Sequence, residues 1–143
     1  TVSGMPHRPG AAARLFDALA AARIVVDMIV QNVSRDGTSD LSFTVPVAHS
    51  AEAERISKEV GREIGAGAVE LDEGIAKVSL VGAGMKSQPG VAARMFTTLA
   101  AEGIDIEMIS TSTIRISCVI AEDQTDRAVQ VLHDVFELDK TEF

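Results

Sequence analysis

The chain has 143 residues, enough for one ordinary domain or two small ones. Hydrophobic residues make up 46% and aromatic residues only 3%, without Trp or Tyr, so the core must be aliphatic. A formal net charge of −8 argues against a nucleic-acid partner, whose affinity would rest on neutralising phosphates. No apolar run approaches the length of a membrane span and no signal peptide is visible, so we expect a cytoplasmic chain without a membrane partner.

A tandem repeat organises the sequence. Pro9-Gly10 opens a segment that matches Pro89-Gly90 eighty positions later, and the match continues without a gap to Met28-Ile29 and Met108-Ile109. Within each copy, apolar residues first follow a helical period and then alternate as in a strand. The repeat predicts two small domains, at residues 1–73 and 74–143.

The first copy predicts a complete small unit. Thr1–Gly4 is interpreted as the end of a truncated first strand, followed by a loop at Gly4–Arg8. The further predicted elements are a helix over Pro9–Ala22 with Pro at its first position, a strand over Ile24–Val33, an Asp-Gly turn at Arg35–Thr38, a strand over Leu41–Val45, a helix capped at Ser50 that buries Ile56, Val60 and Ile64, and a short strand over Ala68–Leu71. The order is βαββαβ, which is typical of a ferredoxin-like α+β fold with an antiparallel sheet.

The second copy predicts the same order without its last strand. Its predicted elements are a strand over Ile75–Gly82, a loop at Ala83–Gln88, a helix over Pro89–Glu102, a strand over Ile104–Thr111, a turn at Ser112–Thr113, a strand over Ile114–Ile120 and a helix over Thr125–Phe136. Glu137–Lys140 is too short and polar for a fourth strand, which we expect from residues upstream of Thr1 or from a partner. Open backbone edges at the first strand of copy one and at this missing strand predict a homodimer.

No group of residues suits catalysis or metal binding. The three histidines are scattered, with His49 at the start of one predicted helix and His133 on the solvated face of another. No Cys/His spacing suits zinc, and Gly82-Ala83-Gly84 is not followed by a phosphate-binding motif. The single Cys118 lies in an apolar alternating run and is interpreted as a small buried hydrophobe in a reducing compartment. The chain is therefore predicted to be no enzyme by itself and to carry neither metal nor cofactor.

The loop before each Pro-Gly helix is the feature that predicts function. A helix N-terminus presents free N–H groups and a positive dipole end, which suit a carboxylate. An acidic residue on the next strand, Asp27 or Glu107, suits an ammonium group. Together these groups predict a free amino acid as the ligand. A plain helix start with solvated carboxylates is the alternative, and the repetition of the whole arrangement favours binding.

Three stretches resemble the regulatory region of aspartate kinase (aspartokinase), which is a pair of ACT domains. They are Val26–Val45, Lys77–Phe96 and Ile104–Ser117, and the resemblance covers nearly the whole chain. It implies feedback inhibition by threonine and/or lysine, held between ACT domains of two chains, and a catalytic domain or separate α subunit of the kinase (ATP:L-aspartate 4-phosphotransferase) as partner. An ACT-type oligomerisation module that has lost its effector, and a regulatory module of another amino-acid biosynthetic enzyme, stay open as alternatives.

The resemblance also implies two effector sites. The first comprises His7, Pro9, Gly10, Ala11, Ala12, Asp27, Gln31 and Asn32, and the second comprises Met85, Ser87, Gly90, Val91, Glu107, Ser110 and Ser112. Ser34 and Ser42 resemble positions at which family members lose feedback control when altered. Family members usually carry an acid where this chain has His7 and another where it has Thr113, which leaves the identity of the effector open.

Overall fold

A computed structural model describes residues 1–82, 90–112 and 114–136 of the chain. It divides into two compact units, Thr1–Glu73 (unit 1) and Gly74–Phe143 (unit 2). Each unit has its own cluster of buried apolar side chains and its own antiparallel sheet. The predicted α+β class, with tandem ferredoxin-like units, is confirmed.

Unit 1 has the predicted βαββαβ order. Its elements are β1 (Val2–Pro6), α1 (Ala11–Ala21), β2 (Ile29–Val33), β3 (Thr38–Phe43), α2 (Ser50–Ile64) and β4 (Ala68–Val69), with a 3₁₀ turn at Val47–His49 before α2. The sheet has the strand order β2-β3-β1-β4, with every pair antiparallel. Both helices pack on the face that carries the buried side chains of Val2, Met5 and Leu41.

β1 lies inside this sheet, between β3 and β4. The prediction of an open edge at the first strand is therefore wrong, and the edges of the unit 1 sheet are β2 and β4. On β2, the side chains of Ile29 and Val33 are 51% and 56% exposed. An edge strand with apolar side chains is a ready surface for pairing with another chain.

The structure moves three predicted boundaries in the first half of unit 1. β1 continues to Pro6 because Met5 and Pro6 pair with the beginning of β3, so the predicted loop starts later than Gly4. The N-cap of α1 is Gly10, with φ +93°, so Pro9 lies before the helix and not at its first position. Residues 24–28 form no strand, although the predicted strand began at Ile24.

The turn and the second helix of unit 1 agree better with the prediction. The predicted Asp-Gly turn is present, and Asp36 Oδ1 accepts hydrogen bonds from the N–H and the hydroxyl of Thr38 at 3.0 and 2.6 Å. The predicted buried face of α2, at Ile56, Val60 and Ile64, is confirmed. Ser50 is the first residue of α2 and not its cap, because the 3₁₀ turn precedes it, and its hydroxyl donates to Glu73 Oε1 at 2.9 Å.

Unit 2 repeats the strand-helix-strand-strand-helix order. Its elements are β5 (Ile75–Val81), α3 (Val91–Ala101), β6 (Met108–Thr111), β7 (Arg115–Ala121) and α4 (Thr125–Phe136), with a 3₁₀ turn at Glu122–Gln124. The strands pair antiparallel in the order β5-β7-β6. α4 has the predicted bounds, whereas β6 begins at Met108 and not at Ile104. The predicted loop at Ala83–Gln88, as well as Pro89, Thr113 and Glu137–Lys140, lies outside the described residues.

Cys118 lies on β7 with its side chain fully buried in the unit 2 core. Burial raises the pKa of its thiol to about 11, because the charged thiolate is poorly solvated there. The interpretation of Cys118 as a buried hydrophobe is confirmed. Within the described ranges, the structure has no helix with the length and apolarity that a membrane span requires.

In each unit, an arginine of the first helix contacts the end of the second helix. The two arginines, Arg14 and Arg94, are equivalent, since each lies one helical turn after the glycine that precedes its helix. In unit 1, Arg14 forms an ion pair with Glu63 near the end of α2 at 2.8 Å. In unit 2, Arg94 donates to the carbonyl oxygen of Val135, and its guanidinium lies 4.7 Å from the ring centroid of Phe136. The Arg14 pair is half exposed, so it contributes at most about 1 kcal/mol to stability.

Candidate functional site

A cavity lies where β1 leads into α1 in unit 1. Its volume is about 480 Å³, and we call it the helix-start cavity; its lining residues are Met5, Pro6, His7, Arg8, Pro9, Gly10, Ala11, Ala12, Gln31 and Ser39. The structure thus brings together six residues of the first predicted effector site: His7, Pro9, Gly10, Ala11, Ala12 and Gln31.

The loop that forms one wall of the cavity is anchored at both ends. The N–H of His7 donates to the carbonyl oxygen of Gly37 at 2.9 Å, which ties the loop to the turn between β2 and β3. Gly10 then turns the chain into α1 with a left-handed φ that favours glycine. A Cβ at Gly10 would meet no atom within 4 Å, so backbone conformation and not space requires glycine there.

The first turn of α1 supplies hydrogen-bond donors to the cavity. The first N–H groups of any helix lack an acceptor within the helix. The N–H groups of Ala12, which lines the cavity, and of the adjacent Ala13, which does not, make no hydrogen bond within the described part of the chain. With the helix dipole, which amounts to about half a positive charge at this end, they form a site for an anionic group.

Gln31 and Ser39 form the polar part of the opposite wall. Gln31 pairs with Leu41 across the hairpin, and cross-strand partners share a face, so Gln31 points to the side where the helices pack. Its Nε2 donates to Ser39 Oγ at 3.3 Å. Ser39 is only 1% exposed, and sequence reasoning missed it. The signal was present in the Asp-Gly turn, whose register places Ser39 opposite Val33 and on the face of Leu41.

Two residues of the first predicted site lie away from the cavity. Asn32 pairs with Asp40 on the other face of the sheet, because adjacent residues of a strand point to opposite sides. Asp27 precedes β2, and its N–H donates to the carbonyl oxygen of Thr44, at the end of the hairpin remote from Ser39. Neither residue lines the helix-start cavity.

The charge of the cavity favours an anionic or zwitterionic ligand. Arg8 contributes a guanidinium group, and none of the lining residues is an aspartate or glutamate. The other polar side chains among the lining residues are those of His7, Gln31 and Ser39. Over the ranges that the structure describes, no three His, Cys, Asp or Glu side chains are grouped so that they could hold a metal ion. These are the properties of a binding site for a small polar molecule.

The described part of unit 2 reproduces the start of the helix but not the rest of the site. Gly90 has φ +92° and precedes Val91, the first residue of α3, as Gly10 precedes Ala11. Met85 and Ser87 lie outside the described residues. Thr111 pairs with Ile116, and its position in the unit 2 sheet corresponds to that of Gln31 in the unit 1 sheet.

The remaining predicted residues of the second site have other positions. Ser110 pairs with Ser117 on the face away from α3 and α4. Ser112 Oγ accepts from the N–H groups of Ile114 and Arg115 at 3.3 and 3.1 Å, so it closes the turn between β6 and β7. The N–H of Glu107 donates to the carbonyl oxygen of Val119 at 2.8 Å, just before β6 begins.

Comparisons with known proteins agree on one family. A family model described as ACT domain matches residues 1–59 and 78–136. An aspartate kinase of Pseudomonas fluorescens (strain SBW25) is 52% identical over 139 residues, which are 97% of this chain and 34% of the relative. The chain therefore spans about a third of the length of the curated relatives it matches.

Two solved structures are similar over almost their whole length. The ligand-free regulatory subunit of aspartate kinase from Thermus thermophilus superposes with a TM-score of 0.87 at 42% identity, covering 94% of this chain and 89% of that one. A chain from a crystal structure of aspartokinase alpha and beta subunits gives a TM-score of 0.89 at 47% identity, covering 95% and 89%.

Proposed function

The chain belongs to the ACT domain family and, within it, to the regulatory regions of aspartate kinases, and from this premise we propose that it binds a free amino acid and thereby mediates feedback inhibition of such a kinase. The observation that carries the proposal is the helix-start cavity, where unused N–H groups of α1 face the amide of Gln31. Threonine and lysine are the proposed effectors, and no cofactor is required.

The carboxylate of the effector binds at the start of α1. The N–H of Ala12 donates to it, and the helix dipole and the guanidinium of Arg8 add favourable charge. A hydrogen bond to a charged group contributes about 1.5–3 kcal/mol. The side chain of the effector then lies against Gln31 on the opposite wall.

The ammonium group of the effector needs an acidic acceptor, which a second copy of the chain supplies. Asp27 lies four residues before Gln31, and an extended backbone of that length spans roughly 13 Å, which is longer than a threonine molecule. Asp27 of a second chain, placed beside β2, completes the site. The exposed Ile29 and Val33 on that edge strand support such a homodimer.

Regulation follows from a site that is shared between chains. An effector that bridges two chains stabilises one arrangement of them, and coupling free energies of about 1–3 kcal/mol are typical of such control. The partner that responds is the catalytic domain or α subunit of a cytoplasmic aspartate kinase.

Threonine suits the unit 1 cavity better than lysine does. The second ammonium group of lysine would enter a cavity that contains Arg8 and no carboxylate. We therefore expect tighter binding of threonine there.

An oligomerisation module without effector is the second candidate function. The presence of His7 and Thr113, where family members usually carry acids, favours it. Such a module would form the same dimer and would bind neither amino acid.

Calorimetric titration of the chain with threonine and with lysine tests the proposal. A more specific test repeats the titration with the Ala12→Pro variant. The substitution removes one N–H donor from the first turn of α1, where proline is tolerated. This variant should bind threonine roughly ten- to a hundredfold more weakly. Ala92→Pro is the matched control at the same position of α3 and should leave unit 1 binding unchanged. A wild-type dimer that binds neither threonine nor lysine would leave the oligomerisation module as the function.

A further inference from the structure

Ser39 is a polar side chain at a core-facing position of β3. On the same face of that strand, Leu41 and Phe43 pack in the apolar core of unit 1. Ser39 nevertheless carries a polar hydroxyl. It is only 1% exposed, and it lines the helix-start cavity. Burying a hydroxyl costs free energy that its hydrogen bond only offsets, whereas an apolar residue at this position would add to the core. The hydroxyl therefore indicates a role in the cavity.

The partner of Ser39 is the amide of Gln31. Nε2 of Gln31 donates to Ser39 Oγ at 3.3 Å. A glutamine amide has a donor at one end and an acceptor at the other, so fixing Nε2 also fixes the direction of Oε1. The side chain of Gln31 is exposed to the cavity and would otherwise rotate freely.

We propose that Ser39 is a positioning residue: it holds the Gln31 amide so that Oε1 accepts a hydrogen bond from the ligand, and the unit 1 cavity thereby selects an amino acid with a side-chain hydroxyl. This inference rests on the proposed function. It adds to that function a chemical basis for selectivity, because an aliphatic side chain of the same size cannot donate to Oε1 and leaves it unpaired.

The corresponding positions of unit 2 that the structure describes, Thr111 and Ile114, do not form such a pair. Gln31 lies opposite Leu41, as Thr111 lies opposite Ile116. Two residues before Leu41 is Ser39, and two residues before Ile116 is Ile114, an apolar side chain that is 52% exposed. The amide and hydroxyl pair therefore belongs to unit 1, and the selectivity that it provides is confined to that unit.

The test compares threonine with 2-aminobutyrate, which has the same carbon skeleton and no hydroxyl. By calorimetric titration, wild-type protein should bind threonine about tenfold more tightly, the size of one hydrogen bond. Ser39→Ala should reduce this preference to about twofold or less, and Ser39→Thr should retain it because the hydroxyl is kept. Ser117→Ala is the control, a buried serine of β7 whose hydroxyl pairs with that of Ser79 at 2.7 Å. It should leave the preference unchanged.

A double-mutant cycle distinguishes positioning from a direct or structural effect. If Ser39 acts through Gln31, then Ser39→Ala has no further effect on the preference in a Gln31→Ala background. Nuclear magnetic resonance without any ligand gives an independent reading: the side-chain NH₂ of Gln31 should be ordered in the wild type and mobile in Ser39→Ala.

The possible failures are separable. A Ser39→Ala protein that keeps the threonine preference, or a Gln31 amide that is equally mobile in both proteins, overturns this inference alone. Wild-type protein that binds neither threonine nor lysine overturns the proposed function instead, whatever the Gln31 amide does.

Discussion

Replacing Gly10 with alanine tests whether the start of α1 depends on a glycine conformation. Gly10 has φ +93°, and residues other than glycine are disfavoured there by about 1–2 kcal/mol. An added Cβ meets no atom within 4 Å, so no steric clash contributes to this loss. For a unit of this size, 1 kcal/mol shifts the unfolding midpoint by about 4–8 °C, so we expect Gly10→Ala to lower it by roughly 4–16 °C.

Two further glycines serve as controls for this substitution. Gly90→Ala, at φ +92° before α3, should destabilise unit 2 by the same amount. Gly61→Ala should have the opposite sign, because Gly61 lies inside α2, where alanine is favoured by about 0.5–1 kcal/mol. Its Cβ would lie 3.6 Å from Ala66 Cβ and 3.7 Å from Val69 Cγ2, which are ordinary contacts.

Thermal denaturation followed by far-ultraviolet circular dichroism measures this midpoint, because the chain has no Trp or Tyr for fluorescence. The expected order of stability is Gly61→Ala, then wild type, then Gly10→Ala. A Gly10→Ala protein as stable as the wild type would refute the reasoning from backbone conformation. Equal losses in Gly10→Ala and Gly61→Ala would do so as well, since they would show that any added methyl group is harmful.

Three further predictions follow from burial and hydrogen bonding. Leu19→Ala and Leu99→Ala, at equivalent fully buried positions, should each lower the free energy of unfolding by about 3–5 kcal/mol in urea; a loss under about 1 kcal/mol would contradict the described burial. Hydrogen bonds from Thr38 hold the pKa of Asp36 below its ordinary 3.8, so the stabilisation they provide is complete above that pH and is lost as the pH falls through the lowered pKa. Asp36→Ala should therefore be less stable than the wild type at neutral pH, and its stability should fall less than that of the wild type as the pH is lowered. Identical acid denaturation curves for the two proteins would contradict this. The buried thiol of Cys118, with its pKa raised to about 11, should react with an aromatic disulfide at about pH 8 only as the protein unfolds, and fast labelling of the native chain would show that it is accessible.

The order of the elements could be predicted from the sequence because apolar periodicity reports which side chains are buried. Ile56, Val60 and Ile64 recur with helical spacing, and all three are buried on one face of α2. Periodicity does not report hydrogen bonding, however. Ile24 and Met28 alternate as in a strand and are buried, yet the sheet ladder begins only at Ile29. The predicted strand was therefore too long at its start.

The sequence predicts those residues of the candidate site that are consecutive in the chain. It does not predict those that reach the cavity through the pairing of β2 with β3. His7 to Ala12 form one continuous loop and helix start, so the repeated Pro-Gly motif is enough to find them. Gln31 and Asn32 are adjacent in sequence, but strand geometry sends them to opposite faces. Ser39 enters the cavity only through the register of the hairpin, which the motif does not contain.

The position of β4 in unit 1 has a consequence for the nascent chain. Val2 pairs with Leu41 and also with Val69, so β1 has one neighbour from the middle of the unit and one from its end. Contacts between residues far apart in sequence form late, because the loop between them must first lose its conformational freedom. Synthesis from the end of β3 at Phe43 to the end of β4 at Val69 adds 26 residues, so at about 5–20 residues per second the outer side of β1 waits roughly 1–5 s for β4 after β3 has been made. During that interval β1 is a transient edge, open to chaperones and to a neighbouring polypeptide on the same messenger RNA.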